Sequence, residues 1–132
     1  MHHQHKILLV DDEPMIRRSM QKTLVRLGFD VAVAASCIEG LDVFEAAHGS
    51  TQPFELALLD LNMPGFNAQP QDGAGLELLS RLVEKQPGLP VIILTAYDEV
   101  AKAKDAIARG ARDYFVKGRD EGLVDLIDAI LD

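Results

Sequence analysis

The sequence predicts an α/β domain: a doubly wound, five-stranded parallel sheet with helices on both faces. Four short uninterrupted apolar runs and a fifth, less pure one recur along the chain, and stretches with helical spacing separate them. Apolar runs without polar alternation suit strands covered on both faces. Strict alternation of strand and helix calls for right-handed crossovers, and hence parallel strands. The length of 132 residues, with 48% hydrophobic and 26% charged residues, fits one domain with one core.

The first run, Ile7 to Val10, precedes a helix that begins at Pro14, turns Ile16, Met20, Leu24 and Leu27 inward and stops at Gly28. The second, Val31 to Ala35, leads to a helix capped by Ser36 that buries Ile38, Leu41, Phe44 and Ala47 and ends near Gly49. After the third run, Leu56 to Leu59, a helix from about Gly75 carries Leu79, Leu82 and Val83 inward, and Pro87 and Pro90 punctuate the turn that follows. The fourth run, Val91 to Leu94, is followed by a helix from about Asp98 to Arg109 with Val100, Ala103 and Ile107 inward, closed by Gly110. Behind the fifth, Tyr114 to Val116, residues Leu123, Leu126, Ile127, Ile130 and Leu131 repeat with the spacing of an amphipathic helix. Five such units favour the flavodoxin-like strand order 2-1-3-4-5. The domain is expected over 6–132, with 1–5 as a disordered or tag-like terminus.

Composition narrows the function. With 13 Lys+Arg against 21 Asp+Glu the formal net charge is -8, which repels phosphate backbones and anionic lipid. Direct nucleic-acid binding and membrane association are therefore not expected of this domain. No apolar run approaches the roughly 20 residues that span a bilayer, and the N-terminal apolar segment is too short for a signal-peptide core; a cytoplasmic location is expected. The single Cys37 forms no internal disulfide and has no CxxC partner, and His2, His3 and His5 fit a tag-like terminus better than a metal site.

In an open α/β sheet, ligands bind beyond the carboxyl ends of the strands. The residues closing the runs there are Asp11-Asp12, followed by Glu13, and Asp60, Thr95 and Lys117, so that three carboxylates, one hydroxyl and one ammonium converge, while the second strand, ending at Ala35 and Ser36, adds no charge. The predicted order brings these groups into one shallow cleft. Two carboxylates about 4 Å apart repel by on the order of 4 kcal/mol at an effective dielectric near 20, so a cation is expected among them. Oxygen ligands at a half-open site favour Mg²⁺, or Mn²⁺, over zinc. Lys117 is then free to hold another anionic oxygen, and Asp60 on the central strand is the candidate nucleophile for phosphoryl transfer. Each residue has a plainer reading: the acids favour a helix N-terminus, a strand-end Thr is a turn residue, a lone Lys is a solvated charge. Their joint placement argues for function.

These residues lie in ILLVDDE at 7–13, LALLDLNMPG at 56–65, VIILTAY at 91–97 and GARDYFVKG at 110–118. With these motifs, in this order over essentially the whole chain, the sequence resembles the CheY-like receiver domain of two-component response regulators. The resemblance implies Asp60 as phosphoacceptor for a histidine kinase or phosphotransfer protein, and Asp11, Asp12, Asp60 and the backbone carbonyl of Asn62 as ligands for Mg²⁺. It implies that Thr95 and Lys117 meet the phosphoryl group, that Tyr114 changes rotamer inward, and that the face of helix four, strand five and helix five signals to an effector domain or protein. Helix four there is lined by Ala101, Ala103, Ala106 and Ala108, with Lys102, Lys104 and Arg109 as charged contacts or as a solvated face. A receiver of this kind is a phosphoacceptor signalling domain rather than an enzyme, catalysing only its own phosphotransfer and dephosphorylation. Homodimerisation on phosphorylation stays open, as does whether the chain stands alone or belongs to a longer regulator.

Two departures stand out. Gly118 follows Lys117 where the family commonly has a proline, leaving that loop more permissive. The segment Phe66 to Ala74 replaces a much shorter link and carries a Phe66 expected to be exposed; it is a tolerated insertion, a partner-recognition element or a modifier of phosphate lifetime. Other classes fit less well. A haloacid-dehalogenase-type phosphatase needs Asp-x-Asp where this chain has Asp60-Leu61-Asn62, and Asp11-Asp12-Glu13 would repel the FMN phosphate of a flavodoxin. A phosphorylation-independent scaffold would not need the full set of site residues.

Overall fold

The computed structural model describes residues 5–67, 69–71, 73–96, 99–118 and 120–131. In chain order the elements are β1 (Lys6–Val10), α1 (Pro14–Arg26), β2 (Asp30–Ala34), α2 (Cys37–His48), β3 (Leu56–Asp60), β4 (Met63–Pro64), β5 (Pro70–Gln71), α3 (Ala74–Lys85), β6 (Val91–Thr95), α4 (Val100–Ala108), β7 (Asp113–Val116) and α5 (Asp120–Leu131). The main sheet runs β2-β1-β3-β6-β7, every pairing parallel, which is the predicted order of the five apolar runs. His2 and His3, Ala68 and Asp72 of the long segment, and Asp98 of the expected fourth helix lie outside the described residues.

The alternation of the pleat explains why the strands are apolar throughout. Ile7 and Leu9 of β1, Leu56 and Leu58 of β3, and Ile92 and Leu94 of β6 pack with Met20 and Leu24 of α1 and Leu123 and Ile127 of α5. Their neighbours Leu8, Val10, Ala57, Leu59, Val91 and Ile93 face Phe44 of α2, Leu78, Leu79 and Leu82 of α3, and Ala103 and Ala106 of α4. Two cores thus sandwich one sheet, and the sheet's carboxyl edge carries the polar residues.

Three side chains expected inside are exposed: Leu27, Ile38 and Ile107. At Leu27 helix α1 has already ended. Gly28 adopts φ 99, its N–H bonds to the Val25 carbonyl and that of Phe29 to the Leu24 carbonyl, a Schellman closure that delivers Phe29 to the core instead. The buried stripe of α2 is Cys37, Gly40, Phe44 and Ala47, one residue out of step with Ile38. A Cβ at Gly40 would lie 3.0 Å from the Val10 side chain, so the small residues let the helix sit tight on the sheet. Helix α4 likewise turns Ala103 and Ala106 inward and leaves Ile107 out.

Part of the long segment forms a secondary structure the sequence did not suggest. β4 and β5 pair antiparallel, Met63 with Gln71 and Pro64 with Pro70, and the Gly65 N–H bonds to the Gln69 carbonyl. Phe66, expected to be exposed, is half-buried against the core, with the Arg81 guanidinium 3.8 Å from its ring centroid.

Candidate functional site

The hydrogen-bond ladder runs one step past β1, β3 and β7, which fixes the strand ends that carry the polar residues. The Asp11 N–H bonds to the Ala34 carbonyl at 3.0 Å, the Leu61 N–H to the Leu94 carbonyl at 2.9 Å, and the Lys117 N–H to the Thr95 carbonyl at 2.9 Å. Asp60 and Thr95 are the last residues of β3 and β6. Asp11, Asp60 and Thr95 are the buried polar residues among those described.

Asp11, Glu13, Asp60 and Lys117 meet directly. The Lys117 Nζ lies 3.0 Å from Asp11 Oδ2, 2.9 Å from Glu13 Oε1 and 3.1 Å from Asp60 Oδ1. In this arrangement the ammonium is the counter-ion of three carboxylates. Three acids crowd one cation, and the burial of Asp11 and Asp60 magnifies their repulsion. Burial, then the charge of Asp11, pushes the Asp60 carboxyl up to about 8 against the pull of Lys117. Burial alone would lower the Lys117 ammonium, but the Glu13 hydrogen bond and the charges of Asp60 and Asp11 outweigh it and hold Lys117 above the usual lysine range.

Asp12 is exposed at the rim, and Asp11, Asp12, Glu13 and Asp60 each offer a carboxylate oxygen within 4.8 Å of one another. Asp11 Oδ2 is sealed from solvent and, though close to Lys117, has no well-directed hydrogen bond. An oxygen-only donor set of converging carboxylates fits a hard divalent cation. The Asn62 side chain is committed elsewhere, its Oδ1 accepting the Gly73 N–H at 2.7 Å at the start of α3. The Thr95 hydroxyl donates to the Ala96 carbonyl at 3.1 Å. Tyr114, half-buried, packs against the core on the α2, α3 and α4 side.

Three further residues shape the site. Glu13 is the N-cap residue of α1, yet its side chain caps nothing and reaches Lys117. Arg17 Nη1 donates to the Asp11 carbonyl at 2.8 Å. Gly75 passes so close to β3 that a Cβ would meet the Asp60 carbonyl oxygen at 2.1 Å. The glycine carries a sequence signal, as a small residue in the first turn of a helix, and Glu13 belongs to the acidic run read there as helix N-terminal; Arg17 looks like an ordinary solvated charge.

A family model described as the response regulator receiver domain matches residues 7–130. The chain belongs to that family. The receiver domain is 34% identical over 117 residues to the response regulator protein PilR of Pseudomonas aeruginosa, an alignment covering 89% of this chain and 24% of PilR. A second relative, the response regulator protein FleR of the same organism, is 33% identical over 123 residues, and the receiver domain spans about a quarter of the length of each. Among solved structures it superposes on a CheY-like receiver domain from Methanospirillum hungatei with a TM-score of 0.80 and 30% identity, covering 98% of this chain and 95% of that one. The chemotaxis response regulator CheY4 of Vibrio cholerae gives a TM-score of 0.80 at 26% identity, covering 97% and 99%. The flavodoxin-like CheY fold and the two-component receiver class expected from the motifs are both found. No helix among the described residues is long and apolar enough to cross a membrane.

Proposed function

We propose that Asp60 is the phosphoacceptor of this receiver domain and that its donor is a histidine kinase or phosphotransfer protein. The reading rests above all on one observation: Asp60 is buried at the end of the central strand, with Asp11 and Lys117 converging on its carboxylate. An Asp60 carboxylate oxygen attacks phosphorus; the new O–P bond forms as the donor's P–N bond breaks, and the electron pair leaves on the imidazole nitrogen, which takes up a proton. Lys117 exchanges Asp60 Oδ1 for a phosphoryl oxygen, and Thr95 turns its hydroxyl from the Ala96 carbonyl toward the same group. The Asp11, Asp12 and Asp60 carboxylates and the Asn62 backbone carbonyl would hold Mg²⁺, with Mn²⁺ as a substitute. Bound there, the cation supplies positive charge that favours ionised Asp60 and offsets charge on the phosphoryl oxygens.

The added charge, about -1.5 to -2, favours a second arrangement of the loops after β6 and β7. Tyr114 follows Thr95 inward, and the face of α4, β7 and α5 passes the change to an effector domain or protein. The test is intact mass after incubation with acetyl phosphate and Mg²⁺. One phosphoryl adduct is expected on the native chain, and none on Asp60→Asn or with EDTA. An adduct that survives Asp60→Asn would overturn the assignment.

A further inference from the structure

Glu13 makes an ion pair that the phosphoacceptor reading does not use. The N-cap position ordinarily takes a short Ser, Thr, Asp or Asn side chain that accepts from the first free N–H groups. Glu13 has the extended backbone of an N-cap, φ -89 and ψ 106, but makes no capping bond. Its N–H is held by Asp11 Oδ1 at 2.9 Å, and its carboxylate spans the cleft to Lys117 Nζ at 2.9 Å. At the far end of that bridge, Lys117 precedes Gly118, which sits at φ 103, where a Cβ would meet nothing within 4 Å. A glycine places little restriction on the backbone after the lysine, and Lys117 is aimed by its ion pairs.

Of those three pairs, the one with Asp60 must be given up when Asp60 bonds to phosphorus, and Asp11 is claimed by any cation in the site. Glu13 lies at the rim, its side chain 55% exposed against 0% for Asp11 and 6% for Asp60. It is the partner that Lys117 can keep throughout the reaction. We infer that Glu13 is a positioning residue for phosphoryl transfer: its carboxylate tethers the Lys117 ammonium over Asp60, doing through a side chain what a stiffer loop would do through the backbone. Glu13 itself touches neither phosphorus nor the attacking oxygen. The inference rests on the phosphoacceptor role of Asp60.

The test compares native chain, Glu13→Gln, Lys117→Met and the double variant. The rate of adduct formation from acetyl phosphate is followed at saturating Mg²⁺, with Mg²⁺ affinity measured separately by calorimetry. A tether lost at an exposed position is expected to slow Glu13→Gln by roughly two- to fivefold, leave its Mg²⁺ affinity within twofold, and have no effect where Lys117 is already Met. Urea unfolding in EDTA supplies a metal-free readout: the two substitutions should be non-additive, since each removes the same contact. If Mg²⁺ binding weakens equally in the Glu13→Gln and double variants, Glu13 is a metal ligand and the tether is refuted. If Glu13→Gln matches the native rate, or slows it equally without Lys117, the tether is refuted while the role of Asp60 stands. If the native chain takes no phosphoryl group, that role fails and this inference falls with it.

Discussion

Replacing Gly75 by alanine tests how closely α3 and the Asp60 strand end are fitted. The added Cβ would lie 2.1 Å from the Asp60 carbonyl oxygen, 3.0 Å from its carbonyl carbon and 3.1 Å from the Leu61 Cα. All three are backbone atoms, so no rotamer change relieves the contact; strand end or helix must retreat by more than an ångström to reach ordinary separation. The helix itself gains about 1 kcal/mol from losing a glycine. Against this stands overpacking of about 3 kcal/mol, the upper end of the usual range because both sides are rigid. The bond from the Gly75 N–H to the Leu61 carbonyl, 2.9 Å long, is worth about another 1 kcal/mol if it is lost. The net is a loss of roughly 3 kcal/mol, a fall in Tm of about 10 °C for a domain of this size. Gly49 is the control: its φ is -83, no atom lies near a Cβ built there, and alanine should stabilise by about 0.4–1 kcal/mol. Urea unfolding followed by circular dichroism measures both. A Gly75→Ala variant within 0.5 kcal/mol of native, on the order of an ordinary surface change, would refute the close approach. Phosphorylation should also fall well below the variant's Tm, because the displaced backbone carries the nucleophile.

Two further outcomes follow from the buried acids. With its folded pKa raised to about 8, above the ordinary value of 3.8, Asp60 keeps a proton that the unfolded chain releases, so it costs stability increasingly as pH rises through that window. Asp60→Asn should therefore be more stable than the native chain in EDTA at pH 7, by at most about 1.4 kcal/mol per pH unit, with the gap closing toward pH 4; thermal melts across that range check it. The Cys37 thiol, pushed up to about 12 mainly by burial, should resist alkylation at pH 8 until the domain unfolds, and it should weaken the fold as pH climbs from 9 toward 12. Mass-detected labelling in native buffer and in urea separates the two states.

The sheet was legible because burial on both faces writes itself as unbroken apolar runs, and the site because polar residues interrupt those runs at one common end. What stayed hidden depends on contacts that composition does not encode. Leu27, Ile38 and Ile107 look like core residues to a hydrophobicity pattern, yet Gly28, Gly40, Cys37, Ala103 and Ala106 decide the inward face by letting helices end or approach closely. The β4–β5 ribbon is two residues per strand, too short for any periodicity to register. Glu13 and Lys117 are 104 residues apart, and nothing in a run of three acids tells which one will cross the cleft.

The ion pairs of this domain also divide by their answer to ionic strength. Glu77 with Arg81 and Glu45 with Lys85 have side chains between 41% and 50% exposed, where dissolved salt at physiological levels screens charge within about 8 Å. The Lys117 pairs with Asp11 and Asp60 lie at 12% exposure or less, where mobile ions gain little entry. A rise in ionic strength would thus loosen the peripheral pairs and the Glu13 arm of the cleft, whose side chain is 55% exposed, before the pairs of Lys117 with Asp11 and Asp60. The chemistry of such a cleft answers to salt through its rim rather than through its floor.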